Sequence, residues 1–507
     1  MCDPMTPPWR KAIGMVLFCL LAPHGLGLCA EALPALANVD LNQLTGEAWF
    51  RASLLGAPVG YVHTLASVDE ADDGPILESI EEMTLRIDFG QGPFEVSSTT
   101  STEYGADLKP RRIRSAQDEF GRVKTIEAEV REGQLHVQTT AADVRTEKTL
   151  PLGPHFGSEL VLSLAAAQGL LPDVATYEFQ AFVPELELLV DFEAECMGRE
   201  TVQARDGEVE ALKIVLRARS IGLEVQWWMD AGGEVVKQQM PSLMNLVIEK
   251  VTEEEALAVV APFTIADHIP VAERMGSARA LSYVRLKAGS PATPAAELIP
   301  QSHLQTVTPL GEREAEVTVV RETDQGLAGH TLPIAGPELA EFLAPNDIVQ
   351  SDDPAIVAKA REIIGEETDA WRAAQKLVRW LYDKMRKLDH DPRPMTASEC
   401  LKSMEGDCSE HATLLCALAR AVGIPSRFVT GVVYLEDGYY YHAWNELYVG
   451  RWVACDPTWG EVTCNAGHLT LASGSLTSES FARTNLQAVR AMGVLALEVL
   501  EHRKGGD

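Results

Sequence analysis

The chain has no excess of positive charge. Its 74 acidic residues outnumber its 43 Lys and Arg residues, for a formal net charge of −31. Without a basic footprint it does not grip a phosphate backbone, so nucleic acid is excluded as the main partner, and anionic membrane surfaces should repel the body of the protein. Long apolar runs are also missing. Nothing beyond the N-terminus approaches the roughly 18 residues of a transmembrane helix, so no stable membrane span is expected in the mature form. With 46% apolar and 23% charged residues, the composition is not that of a disordered chain. Internal repeats and low-complexity tracts are absent, which sets aside repeat arrays. The 507 residues exceed one ordinary domain, so two or three are expected after a targeting segment.

That segment is legible. Arg10 and Lys11 precede an apolar run from Ala12 to Ala22, Pro23, Gly25 and Gly27 follow, and small-residue sites stand at Ala30-Glu31-Ala32 and Ala35-Leu36-Ala37. This is the order of a secretory signal, here residues 1–37, and it predicts an exported protein, periplasmic or secreted. A lipid anchor at Cys29 is disfavoured because Leu28 sits where a small residue is wanted. Of nine cysteines, Cys2, Cys19 and Cys29 fall in this segment, Cys196 stands alone, and Cys400, Cys408, Cys416, Cys455 and Cys464 crowd together. Export permits disulfides, and spacing alone does not assign them.

From Gly46 to about Val260 the pattern is mainly β, with runs such as Gly46–Leu54, Phe94–Thr102 and Leu223–Met229 separated by turn formers such as Arg131-Glu132-Gly133. Successive hairpins predict a curved antiparallel sheet or half-barrel. Gly157–Gln168 reads as a short helix. Tyr283–Ala288 and Ala315–Arg321 alternate as strands of a second, smaller unit. Helices are predicted over Pro354–Ile364 and Thr368–Met385.

The chemistry concentrates around Gly406-Asp407-Cys408-Ser409-Glu410-His411. Asp407 is a good N-cap, and an amphipathic helix runs from Ser409 to Val422, where Gly423 and Pro425 end it. Cys408 therefore sits at a helix start. The macrodipole and first-turn N–H groups favour an anion there, so the thiol's pKa can fall from about 8.5 into the range of about 3.5–7.5. The same N–H groups can take an oxyanion. Downstream, Tyr441–Tyr448 and Arg451–Asp456 read as two strands. For His442 and Asp456 to cooperate they must share a face of this hairpin. A two-residue loop puts them on opposite faces. A three-residue loop, Val449-Gly450-Arg451, pairs 444 with 456 and makes His442 a diagonal neighbour of Asp456, at about 7–8 Å between backbones. That odd register is the expectation.

Four pieces in this order resemble the transglutaminase-like superfamily: Gly406-Asp407-Cys408, Gly423-Ile424-Pro425-Ser426-Arg427, His442-Ala443-Trp444-Asn445-Glu446 and Trp452 to Thr458. The resemblance runs from Asp347 to Leu471 and includes Gly467-His468-Leu469-Thr470-Leu471. It implies a papain-like core with the nucleophile on a helix and the other two residues on an antiparallel sheet. The family's nucleophile falls on Cys408, its base on His442 and its acid on Asp456. The implied reaction is acyl transfer from a protein or peptide substrate, with no metal or organic cofactor needed. A second, side-chain oxyanion donor should come from Trp380–Glu405. The expected class is α+β: 46–260 an antiparallel β domain, 262–345 a small β-rich domain, 347–475 a transglutaminase-like catalytic core, and 476–507 a C-terminal helix and tail.

Plainer readings compete at several positions. His411 lies on the helix face of Cys408 and suits a structural or surface role better than that of a second base. Cys400, Cys408, His411 and Cys416 have irregular spacing for zinc, and one helix carries three of them. Cys455 points to the face opposite Asp456, as packing or as a disulfide partner of Cys464. Trp444, Trp452 and Trp459 are core or cleft wall. Asp389-His390-Asp391 reads as a solvated loop. Three functions follow: a cysteine hydrolase of peptide, isopeptide or amide bonds, a protein-crosslinking transglutaminase, or a non-catalytic envelope binding protein. In each, the β domain is a candidate surface for an envelope partner.

Overall fold

The computed structural model describes residues 31–505, except 35, 37–38, 72–73, 89–92, 120–121, 142–143, 206, 259–262, 265, 267, 292 and 389–394. Nearly all of the expected signal segment, and Asp389-His390-Asp391, lie outside the described residues. Two compact units meet in sequence at Ile265 and Ala266. Among the described residues, no helix is long and apolar enough to cross a membrane.

The first unit is a half-barrel. Among the described residues its sheet has 16 strands, two of them two-residue pieces, Glu31–Ala32 and Phe263–Thr264, that join in parallel. The others run antiparallel from β1 (Gly46–Leu54) to β14 (Leu246–Val251). The order begins at β9 (Val174–Val183), passes through β14 to β1, and ends at β8 (Val144–Pro151). The two edges are tied by the segment that follows β8. Gly157 N–H donates to Gln180 O (3.0 Å), Gln180 N–H to His155 O (2.8 Å), and Gly153 N–H to the Gln180 side chain (2.8 Å). The short helix α1 (Leu160–Ala167) follows, placing Leu164 in a cluster with Leu41, Leu77, Tyr104 and Leu108. The strands expected at Gly46–Leu54 and Leu223–Met229 form end to end. The strand Leu188–Ala204 gave no signal, because its second half is mostly exposed, without the alternation that marks a half-buried strand.

The second unit opens with strands β15 (His268–Pro270), β16 (Leu281–Gly289), β17 (Gln305–Pro309) and β18 (Glu314–Val320). Helices α2 (Pro354–Ile364) and α3 (Ala370–Lys384), short strand β19 (Arg386–Lys387), helix α4 (Ala397–Ser403), short strand β20 (Glu405–Gly406) and helix α5 (Cys408–Ala421) follow. Strands β21 (Ser426–Leu435), β22 (Gly438–Tyr448), β23 (Trp452–Cys455) and β24 (His468–Gly474), helix α6 (Ser478–Ala491) and strand β25 (Ala496–Lys504) complete it. The tail expected after the C-terminal helix is thus a strand. It extends the sheet β17-β18-β16-β25 and buries Leu497 and Val499 on alternate positions.

The core sheet runs β15-β22-β21-β24, with β23 also paired to β22. Helix α5 packs on β22 and β21 and joins α2, α3 and α4 in one core, where Ala412, Leu415 and Ala419 meet Ala443, Leu447 and Val453. The amphipathic reading of α5 does not hold: Cys408 to Arg420 are buried on every side. A helix covered all round sits at the centre of a domain, so its polar side chains must be satisfied internally. Arg420 donates to the carbonyls of Ala344 (2.8 Å), Ser426 (2.9 Å) and Ser475 (2.6 Å). Fully buried Leu414, Leu415 and Leu418 each contribute about 1.5–3 kcal/mol of burial.

Candidate active site

Cys408 is the first residue of α5, capped as its sequence predicts. The Asp407 carboxylate accepts from the Ser409 N–H (2.8 Å) and from Glu410 N–H, and Glu410 Oε2 accepts from the Asp407 N–H (3.1 Å), a complete capping box. Gly406 is the entry because a Cβ there would lie 2.4 Å from Glu410 Cβ. The box corrects one expectation: two first-turn N–H groups that were to be open to an oxyanion are taken by Asp407. The Cys408 thiol is 1% exposed and is not in a disulfide. Just before it, β20 pairs in parallel with β19, and Leu388 N–H donates to Gly406 O (3.0 Å). Within Trp380–Glu405, Arg386–Leu388 thus runs beside Glu405–Gly406 at the entry to Cys408.

His442 lies on β22 and Asp456 directly after β23. The register pairs Asn445 with Cys455 and Tyr448 with Trp452, leaving the three-residue loop Val449-Gly450-Arg451. Val449 N–H donates to Arg451 O (3.0 Å), and Gly450 takes a φ of +103°. This is the expected odd register, and it puts His442 and Asp456 on one face. Their side chains meet, with His442 Nε2 donating to Asp456 Oδ2 at 2.8 Å. Along the edge of β22 opposite β21, β15 covers Gly438–Tyr440 and β23 covers Asn445–Tyr448. His442 therefore sits on the stretch between them that no described strand pairs on that side.

Asp456 is 0% exposed. A reciprocal backbone pair with Glu461 (2.8 and 3.0 Å) fixes its main chain. Its Oδ1 accepts the N–H groups of Thr458 (2.8 Å) and Trp459 (3.1 Å), and its Oδ2 accepts His442 Nε2 and, at 3.4 Å, His468 Nε2. Burial alone would raise its pKa. The His442 imidazole, and His468 after it, outweigh burial and hold the carboxyl well below the usual range.

His468 was quoted only as part of a resembling segment, and its place on Asp456 was not foreseen. Its ring stands edge-on to Trp444 (5.1 Å, 81°) and Trp459 (5.4 Å, 70°). Those two indoles also flank His442, at 6.1 and 5.4 Å. Trp444 and Trp459 thus wall the His442–Asp456 pair, whereas Trp452 packs on Phe342 and Tyr448. The His442, Asp456 and His468 ligand atoms lie within 4.8 Å of one another, as a metal site would require. Their hydrogen bonds already account for the arrangement, with four donors on one carboxylate.

The remaining candidates fall outside this constellation. His411 is buried and structural: its Nδ1 donates to Asp407 O (2.7 Å), Nε2 has no hydrogen-bond partner among the described residues, and burial lowers its pKa. Cys416 receives Asn445 Nδ2 (3.2 Å), which also donates to Ala412 O (2.9 Å) and so ties β22 to α5. Cys455 packs in the core beneath α5, while Cys464 packs with Val429, Trp444 and Ala454 on the other side of the sheet, and both are thiols. Burial raises the pKa of both.

Residues 357–457 match the sequence profile of the transglutaminase-like superfamily and form a transglutaminase-like domain that spans Cys408, His442 and Asp456. No curated protein matches the chain in sequence. Among solved structures, a candidate cysteine protease from Cytophaga hutchinsonii is similar over 44% of this chain and 86% of its own, with 16% identity and a TM-score of 0.30. A β-barrel-like protein of a domain of unknown function from Brucella abortus is similar over 41% and 95%, with 13% identity and a TM-score of 0.31. The periplasmic domain of TgpA from Pseudomonas aeruginosa, in a complex with ethylmercury, is similar over 36% and 76%, with 16% identity and a TM-score of 0.27.

Proposed function

We propose that this transglutaminase-like domain performs cysteine-dependent acyl transfer, with Cys408 as nucleophile, His442 as base and Asp456 as the acid that orients it. In this reading water resolves the acyl-enzyme, so peptide, isopeptide or amide bonds are hydrolysed. The observation that carries the reading is the 2.8 Å hydrogen bond from His442 Nε2 to a fully buried carboxylate. A carboxylate only accepts, so Nε2 carries a proton, and Nδ1 is the nitrogen that exchanges a proton with the thiol.

The steps follow from that assignment. Cys408 gives its proton to Nδ1 and the thiolate attacks the substrate carbonyl carbon, pushing the carbonyl electron pair onto oxygen near the positive end of α5. The tetrahedral intermediate collapses, the C–N bond breaks, and the leaving nitrogen takes the proton from Nδ1. Water then attacks the thioester while His442 takes its proton. Collapse releases the carboxylic acid and returns the thiol. Asp456 holds the imidazole tautomer and supports the imidazolium throughout. The N-terminal order of Arg10-Lys11, apolar run and small-residue sites supports a site of action outside the cytoplasm, periplasmic or secreted.

Iodoacetamide labelling at mildly acid pH tests this reading, with the modified peptide located by mass spectrometry. Cys408 is expected to label fast, and His442→Ala to abolish the advantage. Labelling at an ordinary thiol rate in both proteins would refute it.

A further inference from the structure

We propose that His468 is a positioning residue for this site, holding the Asp456 carboxylate by the same oxygen that receives His442. The assignment rests on the acyl-transfer reading above. Its evidence is a closed circuit of buried hydrogen bonds that begins and ends at Asp456. The Asp456–Glu461 backbone pair sets the first corner. The Glu461 carboxylate accepts Asn465 N–H (3.1 Å) and the Asn465 side-chain amide (2.9 and 3.0 Å). Asn465 O lies within hydrogen-bond distance of His468 Nδ1 (3.3 Å), and His468 Nε2 returns to Asp456 Oδ2 as donor (3.4 Å). Glu461, Asn465 and His468 are all buried.

Reaching Asp456 from β24 requires crossing β21, and the fold clears the way. Gly431 pairs with His442, and Val433, on the same face as Gly431, pairs with His468. A Cβ at Gly431 would lie 2.2 Å from Leu469 O and 2.5 Å from Trp444 Cη2. Only an absent side chain lets Trp444 lie across β21 against both imidazoles. With His468 in place, all four donors fix the carboxylate and it cannot rotate, so one lone pair of Oδ2 remains directed at His442. Without that donor, Asp456 gains a rotational alternative, and His442 loses the orientation that aims Nδ1 at the thiol.

The test compares His468→Phe, which keeps the ring against both indoles but donates nothing, with His468→Gln, whose amide N–H can reach the carboxylate. His468→Leu is the second apolar variant should Phe fail to fold. The readouts are the second-order rate of Cys408 alkylation by iodoacetamide at pH 5 and the thermal midpoint. The apolar variant is expected to slow alkylation about fivefold and Gln to restore it to within about twofold, at similar midpoints. Wild-type alkylation in the apolar variant, or equal slowing in both variants in step with lost stability, overturns the assignment while leaving the acyl-transfer reading intact. Equal rates in wild type and His442→Ala sink that reading and the role of His468 with it.

Discussion

Asp456→Asn keeps the shape of the side chain and removes its charge, and the hydrogen bonds dictate which way the amide turns. Its oxygen must stay at the Oδ1 position, because Thr458 and Trp459 present N–H groups there at 2.8 and 3.1 Å. The amide nitrogen then faces His442 Nε2 and His468 Nε2, two donors in the native protein. Each imidazole has to offer a lone pair instead. His468 can do so by carrying its proton on Nδ1, where Asn465 O lies 3.3 Å away to accept it. His442 can do so only by carrying its proton on Nδ1, the nitrogen that should receive the thiol's proton. An imidazolium at His442 would press an N–H against the amide, so the proposed ion pair with Cys408 would be lost. For a thiol about three units more acidic than an ordinary one near 8.5, inside the lowering that helix starts and imidazolium neighbours produce, the thiolate fraction at pH 5 rises by about eight hundredfold. The lower nucleophilicity of the more acidic thiolate takes back about twentyfold, leaving an advantage of about thirtyfold. Asp456→Asn should therefore alkylate about thirtyfold more slowly at pH 5, matching His442→Ala, while costing only about 1–3 kcal/mol of stability because no donor is left unpaired. The assay is the iodoacetamide rate alongside a urea unfolding curve. An Asn variant that is stable and alkylates at the native rate would refute the proton assignment at His442.

Gly431→Ala should destabilise the second unit by about 1–3 kcal/mol or more through overpacking against Leu469 O and Trp444, read as a lower urea midpoint; an unchanged midpoint refutes the close approach. Acid should weaken the fold in two stages. Burial depresses the His411 pKa, so the unfolded chain binds that proton first and stability falls as pH drops through about 6.5. The depressed Asp456 carboxyl stabilises above its unfolded value of about 3.9, and that contribution is lost as pH falls further toward its folded value. Melting temperatures between pH 8 and 3 should show both stages, and Asp456→Asn should flatten the second; a native-like acid limb in that variant rules out Asp456 as its source. Unfolding without reductant should expose Cys455 and Cys464 as titratable thiols, since they pack on opposite sides of the sheet; a chain two hydrogens lighter than its sequence would show a disulfide instead.

Local determinants made much of the site legible. The Asp407–Glu410 box needs only residues adjacent to Cys408, and the His442–Asp456 register needs only the parity of a three-residue loop. His468 was not legible in the same way. Its contact with Asp456 requires β24 to lie next to β21, β21 next to β22, and an empty position at Gly431 between them. None of these is encoded within a few residues of His468. The pattern of α5 misled for a related reason. Its polar residues mark no solvent face, because Arg420 and His411 find partners inside the domain, where sequence spacing does not report them. The half-barrel was readable where strands alternate, and β25 was not, because its partner β16 lies far away in the chain.

A buried carboxylate is costly, and four donors offset that cost. If Asp456 only closed the turn after β23, Asn would serve: its oxygen can accept Thr458 and Trp459, and its amide can meet two neutral imidazoles. What Asn cannot do is sustain a positive charge on His442. Keeping Asp there, away from water, suits a site where a neighbouring imidazole carries a positive charge. Of the two rings on Oδ2, His468 is locked at both nitrogens by Asp456 and Asn465. His442 is bonded to the carboxylate through Nε2 and lies on the stretch of β22, between β15 and β23, that no described strand pairs on that side. This difference fits the proposed roles, proton carrier for His442 and anchor for His468. If their duties were interchangeable, His442→Gln and His468→Gln would slow Cys408 alkylation equally; the geometry predicts loss of the whole advantage in the first and near-native reactivity in the second.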